Sequence, residues 1–412
     1  MRAAMLREVG APFEVRDDVE LGGPGPGEVR VRLRASGVCH SDLSIQDGTF
    51  PHPLPCIPGH EGAGEVVGVG EGVADVAVGD HVVISWIPLC GRCRFCLGGR
   101  PNLCVTTGSN ILPRFRVGGE PVLAGMGTAT FAEETVVGRE CVVPIPRDVP
   151  LDLAALVGCG VTTGVGAVVN TARVEPGSSV VVVGCGGVGV NVIQGARLAG
   201  AAEIVAVDPV EAKHDAALGF GATHAVTPAG LPGLLRDVTG GDGFDYAFEV
   251  VGRPETIRTA WDATRRAGTI VVVGAGRADV QVPFSPFELF YFERRLLGCV
   301  YGSADPRRDF PMILDLWRAG RLDLEGLVSR RLDLAELPGA FAAMARGEGA
   351  SAASWSCSSS RRGRGRSPAL DSEGPSIPRK PLDLTVSVRH SRGQWSGRAP
   401  RSGGAAPWSR VP

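Results

Sequence analysis

The sequence predicts an α/β protein in which a mostly β domain leads into a doubly wound parallel sheet. Three observations predict it. Residues 1–150 break into short alternating strands punctuated by Gly and Pro. From about Val161 strands and helices alternate at the spacing of a parallel sheet. A glycine-rich turn, Gly184–Gly189, joins a four-valine strand to the helix behind it.

Taken in order, Val29–Ala35 alternates apolar residues with Arg, and Gly64–Gly70 and Asp80–Ser85 are similar short runs. Ser179–Val183 is a buried-type strand, followed by a helix from about Gly189 to Ala199. A second strand is expected at Ile204–Val207 and a helix around Glu211–Leu218. Tyr246–Val250 and Thr269–Val273 read as further strands, with a helix over Pro254–Arg265 between them and another near Asp309–Ala319.

At 412 residues, 44% hydrophobic and 21% charged, the chain can bury two to three cores at roughly 150 residues per domain. The net charge of −2 conceals a split. Residues 351–412 carry eleven basic and three acidic side chains, a net of +8, which leaves −10 for residues 1–350. An acidic body argues against a nucleic-acid partner. The opening MRAAMLREVG lacks the apolar stretch of a secretory leader. The uncharged run Leu153–Asn170 holds glycines and threonines that disfavour a membrane span. Eleven cysteines are too sparse for a disulfide scaffold, so the expectation is a cytoplasmic protein with reduced thiols and no membrane partner.

Cys90-x2-Cys93-x2-Cys96-x7-Cys104 is the strongest local pattern: four thiolates within fifteen residues close a tetrahedral zinc shell, a structural site with no open position. A catalytic zinc needs three protein ligands and one exchangeable position. Cys39 in GVCHSD, His60 in PGHE and Cys159 in GCGVTTG are candidates, each in a Gly-flanked turn and far from the others in sequence. Their spacing alone does not decide the matter, because scattered cysteines such as Cys56, Cys141, Cys185 and Cys299 are commonly just buried. Gly184, Gly186, Gly187, Val188 and Gly189 belong to a G-x-G-x-x-G turn that brings a pyrophosphate to a helix N-terminus. Asp208, nineteen residues beyond Gly189, would bond the adenosine ribose and repel a 2′-phosphate, which favours NAD over NADP.

These motifs in this order resemble the zinc-dependent medium-chain alcohol dehydrogenase family, in a class I/III-like bacterial form, over residues 1–350. The resemblance implies a GroES-like catalytic domain in two segments, 1–160 and 300–350, around a Rossmann NAD-binding domain at 161–299. It implies two zinc ions per chain and NAD, with Cys39, His60 and Cys159 on the catalytic zinc. Glu61 would be a transient ligand and Asp42 the orienting partner of His60. Ser41 would take the substrate proton, Lys213 would contact ribose, and Val188 and Thr163 would press the nicotinamide toward zinc. The implied reaction moves hydride between an alcohol, held at zinc as its alkoxide, and NAD, interconverting alcohol with aldehyde or ketone.

Two positions depart from the family: Ser44 stands where several relatives place a relay histidine, and His40 where some have a pyrophosphate-binding Arg. Phe50, Trp86, Leu89, Ile111 and Phe131 are candidate pocket residues, with core packing the competing reading for each. The long stretch Val105–Thr130 resembles the dimeric class, so a homodimer through the edge near Gln281–Val300 is expected. Two alternatives stay open: a thiol-dependent formaldehyde dehydrogenase, and a catalytically silent NAD- or zinc-binding protein.

Residues 351–412 hold fourteen Ser, three of the six Trp and no strand or helix periodicity, and read as a disordered tail. A basic tail of this kind can bind an acidic partner. Read one base earlier, with TCN serine codons at 351, 354 and 356, Ser351–Ser358 permits V-R-S-V-V-V-L-stop, an ending like the family's. The tail is therefore expected to be a frameshift product or a sequencing error.

Overall fold

The computed structural model describes residues 1–347 and the backbone of the strand Ala353–Ser356. Two large sheets organise it. The first joins Val142–Ile145, His81–Ile84, Gly62–Val69, Glu28–Val38, Ala353–Ser356 and Arg330–Leu332 in that order, with Glu134–Gly138 also paired to Glu28–Val38. Its pairings are antiparallel except that between Arg330–Leu332 and Ala353–Ser356. Alternation in Glu28–Val38 sends Val29, Val31 and Leu33 into the core and the arginines between them outward. Strands from early and late in the described residues thus share one sheet.

The second sheet is entirely parallel and runs His224–Val226, Glu203–Val207, Ser179–Val183, Phe244–Glu249, Thr264–Val272, Arg295–Gly298. In order of appearance this is 3-2-1-4-5-6, the doubly wound arrangement whose ligand crevice lies beyond the carboxyl end of the first strand. Val180–Val183 are buried, since helices cover both faces of a parallel sheet. Each expected strand of this sheet is present, with shifts of a few residues at the ends; Thr264–Val272 begins five residues earlier than expected.

Between the sheets runs a continuous helix, Leu151–Ala172, which sequence patterning did not identify because it is apolar all round. It is long and apolar enough to cross a membrane, yet 83% of its most apolar window is buried within the molecule. The expected boundary at 160/161 falls inside it. Two of its turns, Val157–Val161 and Ala167–Ala172, are π-helical.

The strand Ala353–Ser356 lies within the segment expected to lack periodic structure, and its backbone pairs with Ala35–Val38. A sheet with room between two strands accepts a third backbone whatever its side chains, which explains why composition did not reveal it. The rest of the 351–412 tail lies outside the described residues.

Candidate active site and metal centres

Cys90, Cys93, Cys96 and Cys104 have their sulfur atoms within 4.8 Å of one another. The short helix Arg94–Leu97 places Cys93 at its N-terminus, where its sulfur accepts from the Cys96 N–H at 3.4 Å. Hydrogen bonds from backbone N–H groups, those of Cys96 and Val105 foremost, bring the Cys93 thiol down to about 6, the direction that favours a metal-binding thiolate. Four sulfur donors with no other donor among them suit a closed, structural zinc shell.

The second cluster is built from three distant places. Cys39 follows the long strand Glu28–Val38 and stands at the N-cap of the helix His40–Gln46, while His60 and Glu61 precede the strand Gly62–Val69. Cys159 sits in the first π turn of the long helix. The structure therefore corrects the expectation that all three ligand candidates lie in Gly-flanked turns. The sulfur atoms of Cys39 and Cys159, one ring nitrogen of His60 and a Glu61 carboxylate oxygen lie within 4.8 Å of one another. His60 is fully buried, and its Nε2 has no hydrogen-bond partner among the described residues. Burying an unpartnered ring nitrogen is costly, and a metal resolves that cost. The donor set, two thiolates and an imidazole with a carboxylate at hand, fits a catalytic zinc.

Asp42, also fully buried, accepts from the Gly59 N–H at 2.9 Å through Oδ1 and places Oδ2 3.1 Å from His60 Nδ1. The hydrogen bond from Cys159 holds Cys39 well below the ordinary thiol range, against burial and with help from His60. The same bond, reinforced by burial, pushes Cys159 well above it. Burial works to lower His60, but the charges of Asp42 and Cys39 carry it well above its usual value. Burial and the Cys39 charge together raise Glu61. A Cβ on Gly37 would overlap the Glu61 carboxylate, so a glycine here makes the room in which that side chain sits. Glu61 also accepts from the Gly160 N–H at 3.2 Å, one residue from Cys159.

Ser41 is half-buried with its hydroxyl 3.6 Å from Cys39 Sγ, Ser44 is buried, and His40 is exposed. Phe131 and Leu89, offered as pocket residues, are core: Phe131 is fully buried against Phe13 and Phe341. Trp86 is half-buried and its ring lies 5.0 Å from that of Tyr301. Phe50 and Ile111 are also half-buried. Cys56 and Cys185 are buried, and burial pushes each thiol up to about 12, which leaves them inert packing groups.

The glycine-rich turn follows the strand Ser179–Val183, and Gly186 caps the helix Gly187–Ala199. No atom lies within 4 Å of where a Cβ on Gly186 would sit, which leaves an open cradle at the helix N-terminus. A Cβ on Gly189 would overlap the Gly184 carbonyl oxygen, so helix and strand pack as closely as the motif requires. Asp208 follows the strand Glu203–Val207; it accepts from the Cys185 N–H at 2.9 Å and from Lys213 Nζ at 3.2 Å. This arrangement fits a dinucleotide whose ribose meets a carboxylate.

The helix bearing Cys159 and Thr163 packs against the first turn of the nucleotide helix. A Cβ on Gly164 would stand 2.6 Å from the Val188 carbonyl oxygen. Metal cluster and cofactor cradle therefore meet along one helix. Sequence reasoning missed that helix, and with it Tyr301, whose hydroxyl donates to the Gly158 carbonyl at 2.5 Å.

Comparison with known proteins agrees with this geometry. Residues 25–147 match the alcohol dehydrogenase GroES-like domain, and residues 187–318 match the zinc-binding dehydrogenase domain. An S-(hydroxymethyl)glutathione dehydrogenase of Paracoccus denitrificans is 39% identical over 366 residues, spanning 84% of this chain and 97% of its own. An NDMA-dependent alcohol dehydrogenase of Amycolatopsis methanolica is 39% identical, with 82% and 93% covered. The crystal structure of benzyl alcohol dehydrogenase from Acinetobacter calcoaceticus superposes with a TM-score of 0.80 at 32% identity, covering 86% of this chain and 98% of that one. With its two domain types, its paired cysteine clusters and relatives of this similarity, the chain belongs to the zinc-dependent alcohol dehydrogenases of the medium-chain family.

Proposed function

We propose that the protein interconverts a small-molecule alcohol and its aldehyde or ketone with NAD as hydride acceptor, at a zinc held by Cys39, His60 and Cys159. The observation that carries this reading is the convergence of those three side chains and Glu61 within 4.8 Å of one another, with the His60 ring buried and its nitrogens without a hydrogen-bond partner among the described residues. Zinc bound there supplies Lewis-acid stabilisation of the substrate oxygen, and NAD supplies the redox chemistry. The chain's own groups do the rest. Asp42 orients the His60 ring, as carboxylates behind metal ligands do. Glu61 stands ready as an alternative ligand. Ser41 takes the substrate proton and passes it outward; with Ser44 in place of a histidine, water completes the path. Asp208 and Lys213 hold the ribose, and the Asp208 carboxylate selects NAD against NADP. A second zinc, on Cys90, Cys93, Cys96 and Cys104, holds its loop together.

A thiol-adduct substrate is the second reading, favoured by similarity to the S-(hydroxymethyl)glutathione dehydrogenase. Two molecules would associate through Arg295–Gly298, an edge strand among the described residues, beside the exposed Phe287, Phe290 and Leu296. The frameshift reading of the tail stands as a proposal that resequencing the 3′ end of the gene tests.

The deciding experiment is NADH formation across primary, secondary and aromatic alcohols and a thiol–formaldehyde adduct, with Cys39→Ala in parallel. Activity on a free alcohol that disappears in Cys39→Ala is expected. Activity confined to the thiol adduct selects the second reading. Two zinc ions per chain with no NADH from any substrate would overturn both.

A further inference from the structure

The chain leaves the nucleotide-binding sheet after Arg295–Gly298 and re-enters the catalytic domain at the helix Pro306–Arg318. Between them, Tyr301, Gly302 and Ser303 all adopt positive φ, at 55°, 65° and 48°. Two consecutive-but-one side-chain-bearing residues in the left-handed region cost free energy, on the order of 1 kcal/mol each, that the surroundings must offset. What they gain is contact with one stripe of the Leu151–Ala172 helix. A Cβ on Gly302 would overlap the Thr162 carbonyl oxygen, and one on Gly166 would overlap the Gly302 carbonyl oxygen. Asn170 donates to Gly302 O at 3.3 Å, and Thr171 bonds Ser303 Oγ at 2.8 Å. Residues 158, 162, 166 and 170, four apart, all face this connection.

At the head of the stripe stands the π turn Val157–Val161, which contains Cys159. A π turn is wider than an α turn and displaces its carbonyls from their usual partners. Two consecutive carbonyls here are taken up by hydroxyls: Thr162 Oγ1 donates to Val157 O at 2.7 Å, and Tyr301 donates to Gly158 O. Tyr301 is buried, and its ring is backed by Trp86.

We propose that Tyr301 is a positioning residue for the inner metal shell: its buried hydroxyl holds the π turn that aims Cys159 and ties it to the connection between the two domains. A phenylalanine would pack the same ring and leave the Gly158 carbonyl without its donor. Removing one buried hydrogen bond changes an equilibrium or rate by roughly fivefold to tenfold. The inference rests on the metal reading above, and its test is read on the metal itself.

The experiment follows chelator-driven zinc loss from the purified full chain, together with the visible charge-transfer bands of the cobalt-loaded protein. In Tyr301→Phe one zinc should leave about fivefold to tenfold faster and the other at the wild-type rate, with shifted bands from the inner site. Thr162→Val, which strips the neighbouring carbonyl of its hydroxyl, should move the same zinc in the same direction. It keeps the inference testable should Tyr301→Phe fold poorly. Thr171→Val loosens the same loop–helix contact away from Cys159 and should leave both rates alone. Unchanged rates and bands in Tyr301→Phe overturn the inference, as does equal acceleration in Thr171→Val. A wild-type chain that takes up a single metal overturns this inference and the metal reading together; two metals with an unaffected Tyr301→Phe overturn this inference alone.

Discussion

The two candidate metal clusters differ in donor set, four sulfurs in one and two sulfurs, an imidazole and a carboxylate in the other, and they are made in opposite ways. Cys90, Cys93, Cys96 and Cys104 come from one fifteen-residue loop whose first three cysteines are partly exposed. Cys39, His60 and Cys159 come from a strand end, a loop and a π turn, and His60 and Cys159 are buried among the cores of both sheets. A local loop gains its order from the ion it binds. A site assembled over 120 residues is held by the fold and lends its order to the ion. Perturbing the first should disturb stability, and perturbing the second should disturb chemistry.

The largest expected effect follows from that contrast. His60→Ala should lower kcat/KM by about a thousandfold or more, the several kcal/mol that a Lewis acid supplies. Metal analysis should still find one zinc per chain, and loss of both ions would show the clusters to be interdependent. Next comes Cys96→Ser, which opens the loop shell. Stability should fall by ~3 kcal/mol or more, with new proteolytic cleavage in the loop; an unchanged melting temperature would deny the cluster a structural role.

Asp42→Asn keeps the shape behind His60 and removes its charge. Inner-site metal affinity or activity should drop about 10- to 100-fold, as for other carboxylates behind metal-bound histidines. Equilibrium competition with a chelator measures it, and an unshifted affinity would make Asp42 only a support for Gly59.

The smallest effect sets the scale of a polar contact between two strands of the parallel sheet. Asp245 accepts from the Ser179 N–H at 2.7 Å and pairs with Arg265 at 2.6 Å. Burial works to raise its pKa, but the hydrogen bonds from Ser179 and Arg265 keep it below the ordinary value. A carboxylate lowered on folding stabilises above its unfolded pKa and loses that contribution as pH falls through the folded one. Asp245→Asn should therefore cost about 1 kcal/mol at neutral pH, shrinking as the pH drops below about 4. Denaturant melts of both proteins across that range would show a constant gap if the charge contributes nothing.

How much of this was legible beforehand differs between the same two regions. The four-cysteine loop was, because its ligands are neighbours in sequence. The parallel sheet was, because runs such as Val180–Val183 carry their burial in their composition. The inner ligands were named through resemblance to a family, since nothing in their spacing places Cys39 beside Cys159. The helix Leu151–Ala172 escaped notice because a helix buried on every side shows no apolar stripe, and the segment His40–Gln46 because seven residues carry too little pattern. Phe131 was ambiguous until the fold put it between Phe13 and Phe341.

By itself the sequence determined the buried valine strand of the parallel sheet, the four-cysteine loop and the glycine turn, because each depends on residues within one or two elements. Only the tertiary structure decided which thiols meet an imidazole, which carboxylate stands behind it, and that a tyrosine from the returning connection reaches the turn of Cys159. Those are distances between segments that local spacing does not encode; they arise when packing brings separate backbones together.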